Sequence, residues 1–457
     1  MSRRTGRGLP AAGGMIFGAA TASYQVEGAV AEDGRGPSIW DTFTQRPGAI
    51  RDGSDGTVAC DSYHRIAEDV RLLVDLGVDH YRFSIAWPRI LPTGTPEAGI
   101  ESRGLDFYDR LVDRLLEAGI SPMPTLYHWD LPQALEDRGG WLARDTAHHL
   151  AAYAEIVAGR LADRVGMWTT LNEPYCAAYL GYAAGIHAPG HAGGSDGHRA
   201  AHHLNLAHAW AAEALRAAGA RDVGVVHNLA PVWAESPEAA TVADGVDAIR
   251  NRVWTGPLAA GAYDEGLLAV APVLADPALV RSGDLDAVRG SADWVGVNYY
   301  TPERPDLART DEPGSVPVYP GVTGLAMRPR EPRTDIGWEI DARGLTEVLE
   351  ETARCTGRPV VVCENGAAYT DDVVDDRIED ARRIDYLAAH LAALEDARES
   401  GADVRGYVAW TLLDNFEWAE GYTQHFGLVH VDPRTQDRIP KASFHWYADR
   451  LRARRAS

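Results

Sequence analysis

Two apolar runs in this sequence stop abruptly at a glutamate. MWTTLNEPY (167–175) reaches Glu173, and PVVVCENG (359–366) reaches Glu364. Runs of this kind suit short strands buried on both faces. A carboxylate at such an end is costly unless it is paired or hydrogen-bonded, so each needs a partner and a reason. Either glutamate alone could be a member of a structural ion pair. Two carboxylates converging on one anomeric carbon, however, are the minimum equipment for cleaving a glycosidic bond.

The elements that would have to bring them together recur along the chain. Short apolar or aromatic runs begin near residues 16 (IFGAAT), 78 (VDHYRFSI), 121 (SPMPTLY), 167 (MWTTLNE), 223 (VGVVHN), 293 (DWVGVNYY), 359 (PVVVCEN) and 404 (VRGYVAWTLLD). Helical patterns with apolar residues at three-to-four spacing lie between most of them, among them SYHRIAEDVRLLVDLG, LDFYDRLVDRLLEAG and RIDYLAAHLAALEDARESG. Eight strands alternating with helices predict a single (β/α)8 TIM barrel over residues 14–452, preceded by a disordered tail over 1–13. With 457 residues against the about 250 of a typical barrel, the surplus must lie in long βα loops, most obviously the Pro- and Arg-rich stretch 302–333.

Barrel active sites form at the C-terminal strand ends, where Glu173 and Glu364 fall. The other ends offer Gln25, Arg82, His128 and Trp129, Asn172, His227 and Asn228, Asn298 with Tyr299 and Tyr300, and Trp410 followed by Glu417 and Trp418. Tryptophan outnumbers phenylalanine 13 to 7, the reverse of what core packing alone would favour. Flat apolar faces beside bidentate amides, imidazoles and carboxylates suit a sugar ring, with its C–H faces and belt of hydroxyls.

Bulk properties exclude other classes. A formal charge of −22 without a long basic stretch argues against nucleic acid and anionic membranes as partners. Lys441 is the sole lysine and lies beside a C-terminal helical pattern, which makes Schiff-base and phosphate-loop chemistry poor readings. Four cysteines without CxxC spacing, no apolar run of about 20 residues and a leader-like start broken by Gly-Gly and Pro together predict a cytoplasmic protein with free thiols. No cofactor or metal is called for. The histidines of HRAAHHLNLAHAW (His198, His202, His203, His208) fit a helix packed on the barrel better than a metal site, and no HExxH is present. Cys363 and Cys176 are expected to be inert packing residues, with Cys363 turned by strand alternation away from the barrel mouth.

The segments FGAATASYQVEGA, YRFSIAWPRI, YHWDLPQAL, TLNEPY, HAPG, VNYYT, VVCENG and DNFEWAEGYTQHFGLVHVD resemble, in the same order and nearly end to end, those of glycoside hydrolase family 1, the β-glucosidase family. The resemblance implies Glu173 as acid/base and Glu364 as nucleophile, with Arg82, Asn298 and Tyr300 around the nucleophile. It places Gln25, His128, Trp129, Asn172, Trp410, Glu417, Trp418 and Phe426 on the glycone, and His187, Asn228 and Trp338 on the aglycone side. It implies a retaining mechanism, with the carboxyls roughly 5–5.5 Å apart, acting on aryl β-glucosides and cellobiose with side activity toward galactosides or fucosides. Two alternatives stand beside it. A 6-phospho-β-glycosidase is disfavoured because Glu417 occupies the position where such relatives carry a small hydroxyl residue. A silent glycan- or protein-binding barrel is disfavoured because both glutamates are present. His425 departs from the arginine usual in the family.

Overall fold

All eight apolar runs form strands in the computed structural model of the chain, which describes residues 5–375 and 377–456. They are β1 (Ile16–Ala20), β2 (His80–Ser84), β3 (Ser121–Tyr127), β4 (Trp168–Asn172), β5 (Val223–Asn228), β6 (Trp294–Asn298), β7 (Val360–Glu364) and β8 (Val404–Trp410). The strands pair in sequence order, each parallel to the next, and β8 closes the barrel on β1. Apart from the half-buried Arg405, every residue in them is buried, as apolar runs without alternation require.

Helices α1 (Ser62–Leu76), α2 (Ser102–Glu117), α3 (Asp145–Leu161), α4 (Asp196–Ala217), α5 (Val253–Ala260), α6 (Arg343–Thr356), α7 (Ala381–Glu399) and α8 (Ala442–Ala456) pack around the strands. In α2 the buried set Phe107, Tyr108, Leu111, Val112, Leu115 and Leu116 is the stripe its sequence period predicts. Helix α5 has no counterpart in the sequence reading, because Gly256-Pro257 looks like a breaker. Proline at 257 removes the donor that would serve the Val253 carbonyl, and Asn205 Nδ2 from α4 supplies it instead at 3.0 Å. The 302–333 stretch carries a short antiparallel ribbon, Pro305–Leu307 with Leu325–Met327.

The expectation of a disordered tail over 1–13 is corrected for residues 5–13, while residues 1–4 lie outside the described part of the chain. Gly6 N donates to Arg164 O (2.7 Å), Arg7 N to Ser121 Oγ (2.9 Å) and Leu9 N to Asp222 Oδ2 (2.9 Å). Leu9 packs on a cluster formed by Ile16, Met123, Met167, Val226, Trp294, Val361 and Cys363. Those residues come from six different staves of the barrel, so the cluster fills the lumen, and the segment covers its floor. A Gly/Arg-rich sequence gives no hint of this, since the anchoring is through its backbone donors and one leucine.

Two strands carry an extra residue just below the site. Between β6 and β7 the register runs Val297↔Val362 and then Asn298↔Glu364, so β7 holds one residue more than its neighbour. Regular alternation would put Val361 and Cys363 inward and Glu364 outward with Val362. The bulge turns Glu364 inward as well. Cys363 is turned away from the barrel mouth, as expected, but inward and not outward: its side chain lies in the lumen cluster beneath the site, and burial pushes the thiol up to about 12. It is inert, as expected. A second shift, Thr169↔Gly224 and then Asn172↔Val226, brings Asn172 inward in β4, while Thr170 faces His208 of α4.

Lys441 proves structural. Its fully buried ammonium bonds Asp371 and Asp414. Burial works against ionisation of Asp414, yet Lys441 and a hydrogen bond from His430 hold that carboxyl well below the usual range. Asp371, Asp414 and His425 are the one group among the described residues whose ligand atoms could surround a metal ion, but the lysine already meets their charge. Replacing Lys441 with methionine would leave the buried Asp414 without its lysine, while Asp371 keeps Arg383 at 2.6 Å, at a cost of about 3–5 kcal/mol. The urea midpoint of Lys441→Met should fall sharply, whereas Arg354→Ala, which removes an exposed pair with Glu351, should leave it nearly unchanged.

Candidate active site

The C-terminal strand ends open into one cavity of about 520 Å³. His128, Trp129, Glu173, His187, Asn228, Tyr300, Trp338, Glu364, Trp410, Glu417, Trp418 and Phe426 line it. Gln25, Arg82, Asn172 and Asn298 are fully buried directly behind, each hydrogen-bonded to a lining residue or to its neighbour. The residues that the family resemblance implies for the site are thus brought together. A wider groove of about 730 Å³ along residues 369–382 is bordered by none of them.

Glu364 ends β7 between a cation and a phenol. Its Oε1 accepts from Arg82 Nη1 (2.5 Å) and its Oε2 from the Tyr300 hydroxyl (2.6 Å). Burial nevertheless lifts its carboxyl to about 7; Glu173 adds to the lift, and Arg82 and Tyr300 oppose it. The other Arg82 fork, Nη2, donates to Asn172 Oδ1 (2.7 Å). Asn172 Nδ2 in turn donates to His128 Nε2 (2.9 Å). Burial, then the positive charge of Arg82, keep His128 far below its ordinary range, which leaves that nitrogen free to accept.

Glu173 has a different environment. Its Oε1 accepts from Asn228 Nδ2 (2.8 Å) and Asn298 Nδ2 (2.7 Å), both neutral amides, and its Oε2 faces the Cys176 thiol (3.1 Å). Asn298 also donates to Asn172 Oδ1 (3.0 Å), so one chain of contacts, Glu364–Arg82–Asn172–Asn298–Glu173, links the two carboxyls. Register aligns these donors, with Asn228, Asn298 and Glu364 paired across β5, β6 and β7.

At the opposite side, Gln25 Nε2 donates to Asn415 Oδ1 and Phe416 O (2.9 Å each) and approaches Glu417 Oε2 at 3.3 Å. Its Oε1 is buried without a protein partner, an acceptor suited to a hydroxyl. Burial first, then the charges of Glu364 and Glu173, push Glu417 up to about 8. Trp418 stacks on Tyr24 (6.1 Å, 10°) and abuts Trp129 at 4.5 Å, while Trp410 lies nearly parallel to His128 at 5.9 Å. Trp338 closes the far wall against Tyr300 (5.2 Å) and Phe426 (5.8 Å). Glu173, Trp129 and Trp418 have φ of +43°, +73° and +50°, a region costly for such side chains and characteristic of functional positions.

Some strand-end residues prove structural instead. The Tyr127 hydroxyl accepts from Trp141, His227 stacks on Trp254, Tyr299 donates to Asp341 O, and Asn365 bonds Tyr299 O. The histidines of α4 likewise go to separate partners: His198 to Tyr179, His202 to Asp284, His203 to Trp141 O and His208 to Thr170. Among the lining residues that the sequence did not assign to the site, two touch its functional side chains. Arg250 donates to Asn228 Oδ1 and lies 4.3 Å over the Tyr175 ring, and Cys176 touches Glu173. Arg250 lies in no motif, and the position of Cys176 three residues after Glu173 was its only signal.

The profile of "Glycosyl hydrolase family 1" matches residues 10–455. A bifunctional β-D-glucosidase/β-D-fucosidase of Bifidobacterium breve is 47% identical, over 95% of this chain and 96% of that protein. The thermostable β-glucosidase B of Thermobispora bispora is 47% identical, over 96% and 90% respectively. The solved family 1 β-glucosidase of Thermotoga maritima superposes with a TM-score of 0.89 at 39% identity, covering 98% of this chain and 99% of that one. A closed eight-stranded barrel with paired glutamates at two strand ends, matched over nearly its whole length, belongs to glycosyl hydrolase family 1.

Proposed function

We propose that the protein is a retaining β-glucosidase that releases terminal β-D-glucosyl residues from aryl β-glucosides, cellobiose and short oligosaccharides. The observation that carries this reading is the unequal environment of two carboxyls in one cavity: Glu364 is held by a cation and a phenol, Glu173 by neutral amides and a thiol. Glu364, ionised, attacks the anomeric carbon while Glu173 gives its proton to the departing glycosidic oxygen. The C–O bond breaks as the glycosyl ester forms. Glu173, now a carboxylate, takes a proton from water, whose oxygen displaces Glu364 from the same carbon with net retention.

Asn172, fixed by Arg82 and His128, suits the sugar's 2-hydroxyl, a contact that strengthens in the transition state. Gln25 and Glu417 bond axial or equatorial hydroxyls alike, which supports β-fucosides as additional substrates; the Bifidobacterium relative carries that activity in its name. Among the described residues, the cavity lining around Glu417 (Trp410, Trp418, Ala419, Glu420, Phe426) has no basic side chain to meet a 6-phosphate. With Glu417 lifted to about 8, this absence weighs more than charge repulsion. Four free cysteines suit a reducing compartment, and no described helix is long and apolar enough to cross a membrane; both support a cytoplasmic role in using short cellulose-derived sugars.

An aryl β-glucoside assay tests the reading. Wild type should release the phenol and, by NMR, β-glucose first; Glu364→Ala should lose at least about 10³-fold in kcat. Release of α-glucose first, or an active Glu364→Ala, would refute it. The aryl β-fucoside should be hydrolysed by wild type and the 6-phosphoglucoside should not.

Tyr300→Phe removes a donor to the ionised form of Glu364, worth about 1.5–3 kcal/mol for a charged acceptor. Losing it favours the protonated carboxyl, so the acidic limb of kcat/KM, set near 7 in wild type, should move up by about one to two pH units. An unmoved limb would separate Tyr300 from the nucleophile's charge.

A further inference from the structure

The two oxygens of Glu173 are not equivalent. Oε1 already accepts two amide hydrogens, from Asn228 and Asn298, and so has no lone pair left to carry a proton. The amide of Asn228 cannot turn to relieve it, because its Oδ1 is held by the Arg250 guanidinium. A proton on Glu173 therefore resides on Oε2. Among the described residues, the one side-chain hydrogen bond to that oxygen is from Cys176 Sγ at 3.1 Å.

Cys176 is well placed for more than filling space. It opens the π-helical turn Cys176–Ala183 that follows the acid, its backbone N–H bonds the Glu173 carbonyl (2.9 Å), and it borders the substrate cavity while only 6% exposed. Burial, then the charge of Glu173, push the thiol well above its ordinary range, so it persists as S–H, a donor and not a competing anion. An S–H donor supports a carboxylate weakly, and sulfur accepts poorly. When Glu173 is protonated, the sulfur therefore leaves the Oε2 proton to the substrate oxygen, and when it is ionised the thiol turns to donate. A serine there would do the second task more strongly and compete in the first.

We propose that Cys176 is a positioning residue of the acid/base: its thiol holds Oε2 of Glu173 toward the substrate and supports the carboxylate in the water-activating half of the reaction. This rests on the retaining β-glucosidase reading. The other charged or titratable groups around Glu173 are Glu364 on β7, Tyr300 after β6, Glu417 after β8, Arg250 through Asn228 and Arg82 through Asn172, and all stay in place when Cys176 is changed.

The test compares wild type, Cys176→Ala and Cys176→Ser on two substrates. An alkyl β-glucoside needs the acid to leave; a dinitrophenyl β-glucoside does not, and its kcat reports the base step. In Cys176→Ala the alkaline limb of kcat/KM for the alkyl glucoside and the acidic limb of kcat for the dinitrophenyl glucoside should both move to higher pH by about half a unit to one unit. Cys176→Ser should return both limbs to the wild-type position or below it. Loss of amplitude with unmoved limbs, in either variant that folds, would overturn the proposal and leave a packing role. If wild type hydrolysed no β-glycoside at all, the reading beneath the proposal would fall, and the proposal with it.

Discussion

The buried pair of Arg82 and Glu364 is the contact on which the rest of the site depends. Both side chains are almost wholly removed from water, 1% and 3% exposed. Charges in that position are tolerated only when geometry and further hydrogen bonds repay their desolvation. Here the guanidinium fork is divided between the Glu364 carboxylate and the Asn172 amide, and the Tyr300 phenol meets the second carboxylate oxygen. The cation orients the Asn172 amide, and through Asn298 the same chain of contacts reaches Glu173. The two carboxyls thus differ in their surroundings through one arginine and a sequence of amides.

Crowding Glu173, Glu364 and Glu417 against one another gives that arrangement its tension. Burial and mutual repulsion lift Glu364 to about 7 and Glu417 to about 8, so the pocket resists full ionisation. A protonated Glu417 remains a competent partner for sugar hydroxyls, acting as both donor and acceptor. Glu173 and Glu364 are set apart by their partners and not by sequence type: both end similar apolar runs, with a cation beside one and amides beside the other.

The barrel's architecture was readable because it rests on local pattern. Eight runs too apolar to face water on either side had to be central strands, and the three-to-four stripe of α2 could only be a packed helix. The site residues were readable through motif order, which carries geometry that spacing alone does not. What escaped was non-local. A one-residue bulge at Cys363 overturns strict alternation in β7, Asn205 replaces the donor lost at Pro257, and residues 5–13 are tied down by backbone donors that any composition possesses. Gly366 is likewise placed by a close approach: a Cβ there would lie 1.8 Å from the Trp410 carbonyl oxygen. Arg250 belongs to the same class, since only the folded chain brings it behind Asn228.

The central claim is that the arginine-held glutamate becomes covalently bonded to the sugar. A 2-deoxy-2-fluoro-β-glucosyl fluoride tests it directly, because the ring fluorine slows both displacements while fluoride departs without an acid, so that the ester accumulates. Digestion and mass spectrometry of the inactivated enzyme should find one fluoroglucosyl group, on the peptide containing Glu364. A label on any other residue, or full turnover of β-glucosides by an enzyme this reagent never labels, would contradict the account.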